Sequence, residues 1–406
     1  MMGIKFSIWS YLAVCIFSLV LQVSSLQCKG EQNQDVDWFV LYKIPKISNS
    51  KHPLIKEGVA YMYMDSKSYP KGWTLSNKDI SSDDSIPGYT LAPFYDDKNA
   101  QNLLWLLYND QPPNEIAKLT NGHTKGALIV NEAQGFWLVH SVPNFPPEPK
   151  TGEEPSKSKT NKTEDSMTLS NKDVPRGRYA YPDTGRHNGQ SFLCISTNEG
   201  NFNEIGQQLK YNQIIVYRRN LPSGLSDKFS NLAEAAKQVR IKKPPYNSQV
   251  SISSLNGMEF TSFSKSSKWG KDLYDDFVAP QLKSDLYAET WLNGRGRLPS
   301  DCHQSKVMNV KSISLSAADV DFNSSHDHSK WAVSTDGKKK GTWVCVGDIN
   351  RASTQFERGG GTVCFNLPEV WKSYRDSVQD VEPCPKPKGI LNSVKRVYHR
   401  ITSVFG

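Results

Sequence analysis

Two stretches of the chain repeat one pattern of residues able to act on a phosphate. The first runs Gly122-His123-Thr124-Lys125, continues through Gly135-Phe136-Trp137-Leu138-Val139 and ends at Asn144. The second runs Asp327-His328-Ser329-Lys330, continues through Gly341-Thr342-Trp343-Val344-Cys345 and ends at Asn350. The His-to-Asn intervals are 21 and 22 residues, so one added residue inside a turn aligns the copies. Displacement at a phosphodiester needs a nucleophile, a proton donor and cations for the charge on phosphorus. Imidazole can attack or carry a proton, and an ammonium can hold the non-bridging oxygens. A lone His-Ser-Lys carries almost no information, because surface histidines beside lysines are common. Two copies with matching Trp and Asn favour the catalytic reading.

The elements around each copy give the pattern a geometry. Ala127 to Val130 reads as a strand, Asn131 to Gly135 as a turn and Phe136 to Val139 as the returning strand. In the second copy Trp331 to Val333 goes out, a longer Lys-rich loop turns, and Thr342 to Val346 returns. Opposite ends of an antiparallel hairpin are neighbours, so His, Lys and Asn can meet although they are far apart in sequence. Further strands are expected at Val36 to Lys43, Tyr61 to Met64 and Leu103 to Tyr108, with the polar stretch Ser76 to Ser85 as a surface loop. Helical spacing is present from Ser226 to Val239 and from Ser267 to Phe277. Trp137 and Trp343 lie mid-strand and read as core rather than base-stacking residues. Gly359 to Gly361 either cradle phosphate or serve a tight turn.

The chain has 406 residues, a formal charge of +8 and 37% hydrophobic residues, enough for a sizeable core and suited to a polyanionic partner. The apolar run Trp9 to Val20 behind Lys5, ending in Val23-Ser24-Ser25, reads as a signal peptide over residues 1–25. Cys15 leaves with it. Six cysteines remain, which in an oxidising compartment means three disulfides, with about fifteen pairings open to the sequence alone. Asn161 and Asn323 head glycosylation sequons. Residues 147–182 are rich in Pro, Ser, Thr, Lys and Glu and are expected to be a disordered insertion. Residues 386–406 form a basic tail with apolar residues at helical intervals. It could lie on an anionic membrane, extend DNA contacts or dock on its own domain. His326 and His328 form a His-x-His, but no carboxylate spacing supports a metal centre.

Val36-Asp37-Trp38-Phe39, Tyr108-Asn109-Asp110-Gln111-Pro112, Gly122-His123-Thr124-Lys125-Gly126 and the run from Gly135 to Pro146 resemble the deoxyribonuclease II family. So do Asp327-His328-Ser329-Lys330-Trp331, the run from Trp343 to Arg351 and Arg358-Gly359-Gly360-Gly361-Thr362. The resemblance covers about Cys28 to Cys384. It implies an α+β, mixed α/β protein: two phospholipase D-like halves with central mixed sheets and flanking helices in one chain. The expected halves are residues 26–225 and 226–385.

The activity implied is an acid endonuclease of lysosomes or secretions that cuts double-stranded DNA to 3′-phosphate ends without a cofactor. One histidine of His123 and His328 attacks phosphorus to form a phosphohistidine, while the other protonates the leaving 5′-oxygen and then activates water. Lys125 and Lys330 hold the phosphoryl oxygens. Asn144, Asn350 and Asp348 are candidate substrate contacts, and His140 is either a substrate contact or a strand cap. Phospholipase D members carry an acidic residue shortly after the lysine, where this chain has Val130 and Thr335. The resemblance also implies disulfides Cys28–Cys194, Cys302–Cys384 and Cys345–Cys364. A phospholipid phosphodiesterase and a secreted DNA-binding or toxin component stand as alternatives.

Overall fold

The computed structural model describes residues 25–118, 120–155, 175–337 and 341–385. The expected signal peptide, Asn161 and the basic tail lie outside these. Eight strands form the first sheet: β1 (Trp38–Lys43), β2 (Tyr61–Asp65), β3 (Thr74–Leu75), β4 (Leu104–Asn109), β5 (Lys125–Val130), β6 (Gln134–His140), β7 (Gln190–Asn198) and β8 (Val216–Asn220). Their spatial order is β3-β2-β1-β7-β6-β5-β4-β8, and every pair is antiparallel. The second sheet holds β9 (Asn247–Ser253), β10 (Glu259–Lys265), β11 (Leu286–Glu289), β12 (Val307–Leu315), β13 (Val320–Asn323), β14 (Trp331–Ser334), β15 (Trp343–Gly347), β16 (Gly360–Asn366) and β17 (Val378–Val381). Its order is β13-β12-β11-β14-β15-β16-β10-β9, with β17 on β12. Only its β11–β12 pair is parallel among the described strands. The architecture is α+β with two large, mostly antiparallel sheets, so the expected mixed character is confined to the second.

The central strands are apolar on both faces because both faces are covered. In β1, Trp38, Val40 and Tyr42 face a core shared with the second sheet, while Phe39 and Leu41 face the opposite layer. The same alternation places Leu104, Leu106, Leu128, Val130, Trp137 and Val139 inward. From the other sheet Phe260, Trp331, Val333, Val344, Val346, Val363 and Phe365 meet them. A period of two residues over two buried faces produces unbroken apolar runs such as β4. Helix α1 (Ile86–Tyr95) covers the outside of the first sheet, with Phe94 edge-on to Trp105 and Phe136. Ser85 caps it by accepting from the Gly88 amide at 3.1 Å.

Helix α2 (Glu199–Asn212) follows the first sheet but buries Phe202, Ile205 and Leu209 in the shared core, where it packs on β9 and β10. Gln208 donates to Ser248 at 2.8 Å, so the helix is also hydrogen-bonded to the second sheet. Helix α3 (Pro368–Asp376) contributes Val370 and Tyr374. Asp37 accepts from Ser254 Oγ at 2.5 Å and the Asn256 amide at 2.9 Å, a further tie between the sheets. Disulfides join Cys28 to Cys194, Cys302 to Cys384 and Cys345 to Cys364.

Both expected hairpins are present as β5–β6 and β14–β15. Three expectations need correction. The helix read from Ser226 to Val239 is two helices, Ser223–Lys228 and Ser230–Ala236, because Phe229 turns inward against Phe202 between them. The helix read from Ser267 to Phe277 is broken at Gly270, whose φ of 68° lies in the left-handed region, and only Tyr274–Val278 winds as a π-helix. The described flanks of the insertion are packed. Glu148 pairs with Arg218 at 3.4 Å, and Tyr179 and Tyr181 enter the outer core, which the polar composition concealed. Residues 156–174 of that segment lie outside the described residues.

Candidate active site

The site lies on the seam between the sheets, where the two His-x-Lys segments enter β5 and β14. The His123 amide donates to Gly359 O of the second sheet at 2.9 Å. The His328 amide donates to Gly189 O of the first sheet at 2.9 Å. Each histidine is therefore fixed by backbone of the opposite half. Gly359 is required here, since a Cβ would lie 2.5 Å from Asn212 O at the end of α2. Lys265, buried in β10, donates to Gln355 O at 2.8 Å, Phe356 O at 3.3 Å and Arg358 O at 2.7 Å, which shapes the same loop.

Half-site one is built around Asp110, which follows the last residue of β4. Its carboxylate accepts from Lys125 Nζ and, at 3.0 Å, from Arg358. The same Asp110 oxygen that meets Arg358 lies 3.8 Å from His123 Nε2. Arg358 also donates to Asn121 O and Gly122 O, both at 2.9 Å, and so locks the backbone leading into His123. Asn144 donates to Gln111 O at 3.3 Å and Pro112 O at 2.9 Å, bracing the segment just beyond Asp110.

Half-site two has the same backbone with different side chains. His328 Nδ1 lies 3.0 Å from Ser141 O and 3.4 Å from Gln190 Oε1, both from the first sheet. Trp291, beyond the end of β11, meets the imidazole edge-on at 5.3 Å. Asn350 accepts from the Trp291 amide at 3.3 Å, so the two asparagines brace corresponding segments. Lys330 Nζ donates to His328 O at 2.5 Å. Behind it Asp327 accepts from Tyr42 and Ser329, and Glu289 accepts from Ser324, all buried.

Burial and cations set the protonation of the site. Both His123 and His328 are held well below the ordinary histidine value, first by burial and then by the nearby lysines. Each feels charge from the other half: His123 that of Lys330, His328 that of Lys125 and His123. Burial, then Lys125, pushes the Lys330 ammonium down to about 7. Burial pushes Asp348 up to about 7, although its carboxylate accepts from the Gly361 amide at 3.1 Å. Two imidazoles held low and three cations, two of which share the one carboxylate of Asp110, suit a phosphodiester.

The segments carrying His123, Lys125, His328 and Lys330 meet here. Asn144, Asn350 and Asp348 are buried beside them, at 6%, 9% and 4% exposure, with side chains bonded to backbone. His140 is fully buried between Phe145 and Phe192 and accepts from the Val142 amide at 3.1 Å. Asn323 is exposed. Among the described residues no group of three or more His, Cys, Asp or Glu is placed to hold a metal, and no helix is long and apolar enough to cross a membrane.

Sequence reasoning gave no role to Asp110, Arg358, Trp291 or Gln355. For Asp110 a signal existed: a carboxylate directly after an apolar strand, opposite the residue between His123 and Lys125. Arg358 stood in front of the glycine run. The carboxylates of the site come from Asp110 and Asp348, on segments other than those of Val130 and Thr335.

Comparison with known proteins agrees over the whole of this architecture. The family described as Deoxyribonuclease II matches residues 27–384. Plancitoxin-1 of Acanthaster planci is 40% identical over 93% of this chain and 98% of its own length. Deoxyribonuclease-2-alpha of Rattus norvegicus is 38% identical over 90% and 97%. Cell death-related nuclease 6 of Caenorhabditis elegans is 34% identical over 92% and 93%. The chain belongs to the deoxyribonuclease II family.

Proposed function

We propose that the protein hydrolyses double-stranded DNA in an acidic lumen or secretion, without a metal, through a phosphohistidine, leaving 3′-phosphate ends. The observation that carries this is two half-sites on one seam between the sheets, each histidine bonded to the backbone of the other half. A phosphodiester entering between them meets Lys125, Lys330 and Arg358. Their charge offsets that on the non-bridging oxygens as the transition state forms. One imidazole attacks phosphorus while the other gives its proton to the departing 5′-oxygen. The second imidazole then takes a proton from water, and that water releases the 3′-phosphate. Residues 26–225 and 226–385 supply one half-site each.

The acid preference has a physical source in the cleft. Below about 7, Lys330 is charged and Asp348 neutral, and both changes favour an anion. The test is cleavage of plasmid DNA at mildly acidic pH in excess chelator. Wild type should remain active, and end-labelling should find 3′-phosphates. His123→Ala and His328→Ala should each lose at least about 10³-fold in rate with unchanged melting temperature. Abolition by chelator with rescue by magnesium, or near-normal turnover in either variant, would overturn the reading.

A further inference from the structure

The two half-sites share a backbone but differ at one corresponding position, and we propose that this difference divides the labour. His328 is the nucleophile, and His123, held beside Asp110, is the general acid. The assignment rests on the hydrolytic reading above and goes beyond it.

Strand register defines the correspondence. Asn109 pairs with Lys125 across β4–β5, so Asp110 stands opposite Thr124, the middle residue of His123-Thr124-Lys125. Glu289 pairs with Trp331 across β11–β14. Two steps further on, Trp291 stands opposite Ser329, the middle residue of His328-Ser329-Lys330. Asp110 and Trp291 therefore occupy one place in the two halves, a carboxylate in one and an indole in the other. Asn144 and Asn350 brace these corresponding segments, so the difference sits in a conserved mould of backbone.

The two imidazoles, both held below their ordinary value, differ in their partners. His123 Nε2 lies 3.8 Å from an Asp110 oxygen, in a pocket otherwise surrounded by Lys125, Arg358 and Lys330. Burial and those cations hold this imidazole low. The carboxylate, joined by the phosphodiester anion once bound, opposes them by favouring a proton on that nitrogen, the state a general acid needs. His328 has no carboxylate at ion-pair range among the described residues, and the indole of Trp291 fills that place. Its Nδ1, at 3.0 Å from Ser141 O, donates to that carbonyl, since a carbonyl can only accept. A proton fixed on Nδ1 leaves the lone pair on Nε2, the atom available for attack.

The steps balance. The His328 Nε2 lone pair forms a bond to phosphorus as the P–O5′ bond breaks. The electron pair departs on O5′, which takes the proton from His123 Nε2. Neutral His123 then accepts a proton from water while the water oxygen bonds to phosphorus and the P–N bond breaks. The pair returns to His328, and Asp110 again faces a protonated His123. Asp110 is a positioning residue in this scheme, acting through His123.

A good leaving group needs no acid, so an activated substrate separates the roles. With thymidine 3′-(4-nitrophenyl phosphate), full-length His123→Ala should keep a first turnover within about tenfold of wild type, while losing about 10³-fold on DNA. It should release one equivalent of nitrophenolate per enzyme and stall, since no base remains to activate water. The acid-labile phosphoryl group should map to residue 328 by peptide mass analysis. His328→Ala should be inert to both substrates. Asp110→Asn, which keeps both histidines, should lose about 10²-fold on DNA and less than tenfold on the activated ester; it serves also if His123→Ala does not fold. A burst in His328→Ala with phosphate on His123 would reverse the assignment. No adduct on either histidine would overturn the covalent reading and this assignment with it. Equal losses on both substrates in Asp110→Asn would remove Asp110 from proton transfer.

Discussion

Lys125 and Lys330 hold matching places in sequence and opposite places in energy. Lys125 is satisfied by Asp110. Lys330 is 1% exposed, donates to a carbonyl, and its ammonium is pushed down to about 7 by burial. A buried cation whose ammonium donates to a carbonyl rather than to a carboxylate costs stability that an arriving phosphate would return. Lys330→Met should therefore lower kcat/KM on DNA by about 10² to 10³-fold, with a melting temperature equal to wild type or higher. Lys125→Met should lose activity similarly but also lose about 3 kcal/mol of stability, because it leaves one oxygen of the buried Asp110 without its donor. Urea titration of both variants beside steady-state kinetics checks the contrast. A strongly destabilised Lys330→Met would mean that the lysine is structural. The sequence displayed the two lysines as equivalents, and nothing in the spacing distinguished them, because the distinction comes from Asp110 and Trp291 on other strands.

At the scale of elements, the loop before β16 carries the site's second layer and is shaped by one strand residue. Lys265 Nζ fills three carbonyls of residues 355–358, and that loop presents Arg358 to Asp110 and the Gly359 carbonyl to the His123 amide. Lys265→Met should leave those carbonyls without a buried donor and lower stability by about 3 kcal/mol. It should also lower kcat more than it raises KM, since the loop positions Arg358, whose charge counts most as the transition state forms. Intact kcat in a folded variant would show that the loop is held by other means. The hairpins carrying His-x-Lys were legible, because strands of period two with turn residues between them are local signals. The loop geometry was not, since three carbonyls converging on one lysine leave no local trace. The expected helix at Ser267 to Phe277 failed for a related reason: Gly270, in the left-handed region, interrupts a pattern whose apolar spacing alone looks helical. Tyr179 and Tyr181 likewise lay in a polar stretch whose packing depends on a distant sheet.

At the scale of the molecule, two sheets share one core, and α2 crosses from the first half onto the second. The seam that carries the two His-x-Lys segments is therefore walled by both sheets, and the electrostatics of one half act on the other. Lys330 lies in the second sheet's half-site and is pushed down partly by Lys125 of the first. Asp348, pushed up to about 7, is likewise within reach of Lys125 and Asp110. The sign follows directly. Lowering pH through about 7 protonates Lys330, adding a positive charge, and protonates Asp348, removing a negative one. Both histidines are held below their ordinary value, first by burial and then by the nearby lysines. The cleft of a chain already at +8 thus gains up to two charges between pH 8 and about 5.5. Affinity for a duplex with non-hydrolysable linkages, followed by fluorescence anisotropy, should rise across this range. The slope of log K against log salt should steepen by up to about 1.8, near 0.9 for each added charge. In Lys330→Met the steepening should fall to about half, with the remainder due to Asp348. A pH dependence unchanged in Lys330→Met would remove Lys330 from it and leave Asp348 and the histidines as its source.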